Sequence, residues 1–205
     1  MYKNDNNEGL AYKSVMELNG CSVDLIDKST LPTFDFSPYD LIVIGNNTDT
    51  LYTPHWTPAD TMVFYKAAKP MLLWGVGGTL LSLVLNNHVG NPGTGGFTLL
   101  AVNRNSTIFS SPLLIQIPAN GVIPFYSQNC PAAGLYSATG NANLELVGKD
   151  PVFSIYTTVF VETKQVNLKT RRFGNFGYYL NTNAMDQPGK DFIVNFSYYV
   201  GQLKL

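Results

Sequence analysis

The chain has 205 residues, 45% of them hydrophobic, enough for one large globular domain with a full core. Charged residues make up only 13% and the net charge is −1 with no long run of either sign, so a basic face for nucleic-acid phosphates is not expected. No stretch reaches the roughly 18 apolar residues of a membrane span. Polarity comes from Asn, Thr, Ser, Gly and Tyr, a surface that suits an extracellular or cell-surface protein better than a cytoplasmic one.

Taken in chain order, residues 8–18 carry helical periodicity, with Leu10, Ala11, Val15 and Leu18 on one face. Asn6 or Asn7 supplies a cap and Gly20 a terminator. Residues 22–26 read as a strand through Val23, Leu25 and Ile26. Residues 28–40 hold two prolines and read as a loop. The run Leu41-Ile42-Val43-Ile44-Gly45 predicts a strand buried on both faces, and 46–58 a polar crossover. Thr57-Pro58 opens a helix, since Thr caps and Pro is tolerated in the first turn, and Lys69-Pro70 ends it. Met71-Leu72-Leu73-Trp74-Gly75 is a second buried strand, Gly77-Gly78 a tight turn, and Thr79 the start of an apolar helix to Leu85. Handed crossovers make this half a parallel sheet covered on both faces.

The second half opens on a glycine-rich loop, 90–96. Short runs follow at 113–117, 144–147 and 152–161 and read as strands, some antiparallel. Residues 172–180 predict another strand, and 191–203 a closing amphipathic helix with Phe192, Phe196, Tyr199 and Val200 on one face. The whole is expected to be a single α/β domain over residues 1–205, flavodoxin-like, a three-layer sandwich on a mainly parallel sheet. An α/β domain of this kind opens with a hydrophobic strand, yet only residues 1–3 precede the polar Asn4-Asp5-Asn6-Asn7. Three readings stand: a very short strand, a chain that starts at the strand's end, or another segment in that slot. The chain is expected to be part of a longer polypeptide.

Together, GCSVDLID, YDLIVIGNN, KPMLLWGVGGTLL and the late RRFGNFGYYLNTNAMDQPGKDFIVNFSYYV resemble the class I glutamine amidotransferase-like superfamily. The resemblance covers most of the chain. It is to uncharacterised members appended to larger bacterial or archaeal surface proteins, in which an Arg-Arg-aromatic strand precedes a loop and a final helix. In active members a nucleophilic cysteine sits in a sharp strand-to-helix turn, aimed at a helix N-terminus that favours the thiolate. The resemblance places the matching turn at Gly75-Val76-Gly77-Gly78 and the nucleophile position at Val76, whose side chain has no lone pair to activate. A histidine oriented by a carboxylate is also needed, and His55 and His88 lack the His-x-Glu spacing. His88, near the 90–96 loop, is the better pocket candidate.

The remaining motifs are bland. Cys21 and Cys130 form neither a metal-ligand pattern nor a disulfide framework, and read as small, half-buried thiols. The histidines have no HExxH-like spacing for zinc, and no motif calls for a cofactor. Asp5 and Glu8 hint at a phosphorylated receiver, but Gly45 stands where its acceptor aspartate belongs. Asn46-Asn47-Thr48, Asn105-Ser106-Thr107 and Asn195-Phe196-Ser197 match the glycosylation sequon, which an Asn-rich chain does by chance. Lys169-Thr170-Arg171-Arg172 reads as a solvated strand end.

Two functions follow. The first is a non-catalytic interaction or structural domain of a larger surface or extracellular protein, its partner a protein or the remainder of a longer polypeptide. The second is a small-ligand domain for carbohydrate or an anion, or a divergent hydrolase. Its cleft lies beyond the carboxyl ends of the strands and is lined by Asp5, Asn6, Glu8, Asn46, Asn47, Val76, Gly77, Gly78 and His88. A plugged rim favours the first, an open pocket with Asp5 or Glu8 facing His88 the second.

Overall fold

The computed structural model describes residues 1–3, 6–49, 56–85, 96–136, 143–152, 156–166 and 168–204. Four helices, α1 (Asn7–Glu17), α2 (Pro58–Ala67), α3 (Gly75–Val84) and α4 (Gln187–Gly201), pack on one mixed sheet. Its strands are β1 (Ile42–Ile44), β2 (Met71–Trp74), β3 (Thr98–Ala101), β4 (Val122–Pro124), β5 (Leu135–Tyr136), β6 (Leu144–Lys149), β7 (Tyr156–Val166) and β8 (Lys169–Phe176). The order across the sheet is β1-β2-β8-β7-β6-β3-β4, with β5 paired to the start of β7. β1, β2 and β8 are parallel neighbours, and the pairings beyond β8 are antiparallel. Only β3 and β7 run against the other described strands, so this is the expected α/β sheet with antiparallel additions from the second half.

β2 lies between β1 and β8 with a layer on each face, and all four of its residues are buried. Met71 and Leu73 face a core with Phe64 of α2, Leu80 and Leu81 of α3, and Leu85 just after it. Leu72 and Trp74 face the other core, with Tyr12 and Met16 of α1 and Phe192, Phe196 and Val200 of α4. Alternate side chains of a strand point to opposite faces, which makes the molecule three layers thick. Each fully buried Phe or Leu contributes about 1.5–3 kcal/mol relative to an exposed one, so these two faces carry the fold.

Several elements differ from their sequence reading. α1 buries Ala11, Tyr12 and Met16, while Leu10 and Leu18 are exposed. The helix is rotated because Tyr12 reaches inward, edge-on to Trp74, with its hydroxyl 2.9 Å from Ser197 Oγ. α3 starts at Gly75 rather than Thr79. Its glycines permit close packing: a β-carbon on Gly77 would come 2.0 Å from Thr48 Oγ1, and one on Gly78 2.4 Å from the Leu73 carbonyl carbon.

Residues 113–117 form no strand. Leu113 donates its N–H to Asn195 Oδ1 and its carbonyl accepts from Asn195 Nδ2, so α4 takes the place of a strand neighbour. The basic cluster lies at a strand end, as expected, the start of β8, but Arg171 is buried. Its guanidinium donates to the carbonyls of Phe64 and Tyr65 in the last turn of α2, where a cation complements the helix dipole. Arg172 stacks 4.3 Å over the Tyr199 ring.

Residues 22–26 keep alternating exposure but are not a strand. Ladder contact comes just beyond them, at the edge, where Asp27 bridges Tyr2 in parallel. Residues 1–3 thus occupy the end of the slot that the first strand of such a domain would fill.

Candidate functional site

The carboxyl ends of β1 and β2 meet at a strand-to-helix turn that has no intervening loop. Trp74 is extended, Gly75 has φ of +61°, and α3 begins at once. That left-handed backbone is comfortable for glycine alone. The sharp residue of the turn is therefore Gly75, one position before Val76, and this corrects the placement at Val76. Val76 is already in the first turn of the helix.

The turn is filled. A β-carbon on Gly75 would lie 2.3 Å from Asn46 Oδ1 and 2.7 Å from Asn46 Cβ. Asn46 Oδ1 accepts the Val76 N–H at 2.8 Å, and its Nδ2 donates to Glu8 Oε1 at 3.1 Å. Glu8 Oε2 accepts the Asn47 N–H at 3.0 Å. α1, the turn after β1 and the start of α3 are thereby tied through one carboxylate and one carboxamide. In a nucleophile elbow the N–H following the nucleophile belongs to the oxyanion hole; here Asn46 occupies that donor.

Of the residues read from sequence as the cleft, the structure brings together Glu8, Asn46, Asn47 and Val76. Gly77 and Gly78 lie buried behind them, Gly77 against the 45–48 turn and Gly78 against β2. Asn6 stands exposed at the start of α1, without a side-chain cap hydrogen bond. Asp5, His55 and His88 lie outside the described residues, as does most of the 90–96 loop. Opposite the turn, β8 pairs Phe176 with Trp74 and continues into Gly177 and Tyr178, whose hydroxyl donates to the Thr98 carbonyl.

Sequence reasoning missed an ionic cluster beneath the same turn. Lys28 Nζ lies 3.6 Å from Asp49 Oδ2 and 3.6 Å above the Trp56 ring. Asp49 Oδ2 also accepts the Trp56 N–H at 3.1 Å, and Trp56 Nε1 donates to the Gly77 carbonyl at 3.0 Å. Burial pulls the Lys28 ammonium below its ordinary range, against the opposing pull of Asp49. No sequence spacing links these residues; the fold alone assembles them. Among the described residues no group of three or more His, Cys, Asp or Glu side chains is arranged to hold a metal.

The cysteines are both free. Cys130 is buried beyond the end of β8, its Sγ 3.3 Å from the Pro131 carbonyl and accepting the Leu180 N–H at 3.3 Å. Burial pushes its thiol up to about 11, the opposite of an activated nucleophile. Cys21 is half-buried at the wall of a cleft beside α1. A colourless-to-yellow thiol titration at pH 8 is expected to count one fast equivalent in the native protein and two after unfolding. Two fast equivalents would contradict the buried Cys130.

No protein-family profile matches the chain, and no curated protein matches it in sequence. Solved structures do match in shape. A GMP synthase subunit-like protein from Thermoplasma acidophilum superposes with a TM-score of 0.58 at 13% identity, covering 98% of this chain and 93% of its own. A ThuA-like protein from Bacteroides uniformis gives 0.54 at 12% identity, covering 97% and 91%. Both are members of the glutamine amidotransferase-like fold, and the chain shares that fold over nearly its whole length.

Proposed function

We propose that this domain is a non-catalytic interaction or structural module on the amidotransferase-like scaffold, working within a larger surface or extracellular assembly. One observation carries the reading: the elbow is occupied. Glycine stands where the nucleophile would bend out of the sheet, and the Asn46 carboxamide fills the space of its side chain. The same carboxamide takes the Val76 N–H that would stabilise an oxyanion. A buried thiol whose pKa is raised rather than lowered supplies no substitute. The low share of charged residues supports the surface or extracellular setting.

The test is hydrolysis of glutamine, γ-glutamyl amides and activated esters by the unaltered protein, with Asn46→Ala and Glu8→Gln beside it. No turnover above the uncatalysed rate is expected from any of the three. Asn46→Ala is expected to lose about 1–2 kcal/mol of stability, because the Val76 N–H and the Glu8 carboxylate each lose a partner. Turnover by the unaltered protein that disappears in Glu8→Gln or Asn46→Ala would sink the reading, since these residues would then be serving chemistry rather than closing the site.

A further inference from the structure

Three segments match the acceptor sequence for N-glycosylation: Asn46-Asn47-Thr48, Asn105-Ser106-Thr107 and Asn195-Phe196-Ser197. The match alone is a matter of composition. In the folded protein two groups decide whether such a segment can carry a glycan. One is the Asn carboxamide, whose nitrogen takes the sugar, and the other is the hydroxyl two residues on. A glycan is bulky and belongs at the surface, so both groups have to stand there.

The fold closes two of the three segments. Asn46 is half-buried at the elbow, where Nδ2 donates to Glu8 Oε1 at 3.1 Å and Oδ1 accepts the Val76 N–H at 2.8 Å. The hydroxyl of Thr48 is buried against α3 and donates to the Gly45 carbonyl at 2.7 Å. Asn195 is fully buried, with both ends of its carboxamide bonded to the backbone of Ile108 and Leu113. Ser197 is buried too, and its hydroxyl donates to the Ile193 carbonyl at 2.7 Å. A sugar on either nitrogen would have to force apart a close-packed interior.

The third segment is open. Asn105 and Thr107 are both exposed, in the turn that follows β3. The turn is fixed from below. Ser106 donates its N–H to the Asn103 carbonyl at 3.1 Å and its hydroxyl to Glu145 Oε1 at 3.2 Å, while Ile108 and Phe109 are buried. Asn105 donates its own N–H to Asn103 Oδ1 at 3.3 Å. Ser106 therefore points inward, and the residues on either side of it are left at the surface. Among the described residues no hydrogen bond engages the Asn105 carboxamide or the Thr107 hydroxyl.

We infer that Asn105 is the glycan acceptor of this chain. In the transfer, Nδ2 bonds to the anomeric carbon of an oligosaccharide carried on a lipid pyrophosphate. The bond from that carbon to the phosphate oxygen breaks, the lipid pyrophosphate leaves with the electron pair, and one amide proton passes to a base of the transferring enzyme. Asn105 can serve only in the surface or extracellular setting proposed above, where such a donor is met, so the assignment rests on that reading. A glycan there turns the Asn105 side of the molecule toward solvent, and a protein partner meets a different face.

The test secretes the full chain from a eukaryotic host behind a cleavable leader. Peptide masses are read before and after peptide-N-glycosidase, which leaves Asp where a glycosylated Asn stood. A glycan is expected on Asn105 in most of the secreted protein, and none on Asn46 or Asn195. Asn105→Gln and Thr107→Ala, both at exposed positions, should each abolish it. After deglycosylation their melting temperatures should stay within about 2 °C of the unaltered protein. A bare Asn105 in the secreted protein, or a glycan on Asn46 or Asn195, would overturn the assignment. Protein recovered from its own cells separates site from setting, by fractionation and the same mass reading. A bare Asn105 on protein found outside the cytoplasm would overturn the glycan assignment alone. Protein found only in the cytoplasm would overturn the surface setting, and the assignment with it.

Discussion

Replacing Asn195 with alanine is expected to cost about 3–5 kcal/mol, several times a typical surface substitution. Asn195 is fully buried in α4, and its carboxamide serves three backbone groups of the preceding region. Oδ1 accepts the Leu113 N–H at 2.8 Å, while Nδ2 donates to the carbonyls of Ile108 at 2.8 Å and Leu113 at 2.7 Å. Alanine leaves all three without that partner beneath a helix packed on both sides, and each unsatisfied buried group costs about 1–3 kcal/mol. In a chain of this size the loss corresponds to roughly 10 °C in melting temperature. Asn195→Asp keeps the acceptor but neither donor, and is expected to do no better. Urea unfolding measures the cost, and amide exchange should show residues 107–115 opening first. A cost below about 1 kcal/mol would mean that this segment holds itself in place. The geometry also removes Asn195 as a glycan acceptor in the folded protein, whereas Asn105 of the second sequon is exposed.

The same residue shows where the sequence was legible and where it was not. Periodicity placed α4 and its apolar face well, because Phe192, Phe196 and Val200 recur at helical spacing and are buried. It could not show that the opposite face is covered too, since the covering segment is an irregular loop with no period of its own. The strands β1 and β2 were clear as unbroken apolar runs, a pattern that burial on both faces produces. The strand expected at 22–26 had the right alternation and failed for lack of a neighbour: a strand is a pairing, and pairing is not written in one segment. The α1 face was misplaced because Leu10 and Leu18 were assigned to the core, whereas the helix turns Tyr12 and Met16 inward beside Ala11.

At the candidate site, Glu8, Asn46, Asn47 and Val76 were named from their positions at strand and helix ends, and the fold gathers them. What the sequence left open was which residue bends. Gly75 and Val76 differ by one position, but a strand's side chains change face at every step, so the error changes which group stands at the centre. With Val76 there, the turn presents an aliphatic side chain. With Gly75 there, it is a space that another residue enters, and the Glu8–Asn46 pair ties α1, the turn after β1 and the start of α3 together.

Beneath the Glu8–Asn46 link, removal of the Asp49 carboxylate is expected to cost about 2–3 kcal/mol, toward the lower end for a broken ion pair because Lys28 is only half-buried. Asp49→Ala leaves the half-buried Lys28 ammonium with the Thr48 carbonyl at 3.3 Å and the more distant Asp60 but without its nearest counter-charge, and the Trp56 N–H without this acceptor. Breaking a buried pair by deleting one partner costs about 3–5 kcal/mol, far more than the pair is worth against a well-packed apolar substitute. The double replacement Lys28→Met with Asp49→Ala is therefore expected to recover much of the loss. The pH dependence distinguishes this cause from simple packing. Burial already lowers the Lys28 pKa from its ordinary value of 10.5, and without Asp49 it falls further. Between the lowered folded value and 10.5 the unfolded chain binds more protons than the folded one, so stability of the variant rises with pH. The gap between Asp49→Ala and the unaltered protein should narrow as pH climbs from 7 toward 10. A gap that stays constant over that range would show that the cost lies in the lost Trp56 hydrogen bond and the cavity, not in a stranded charge.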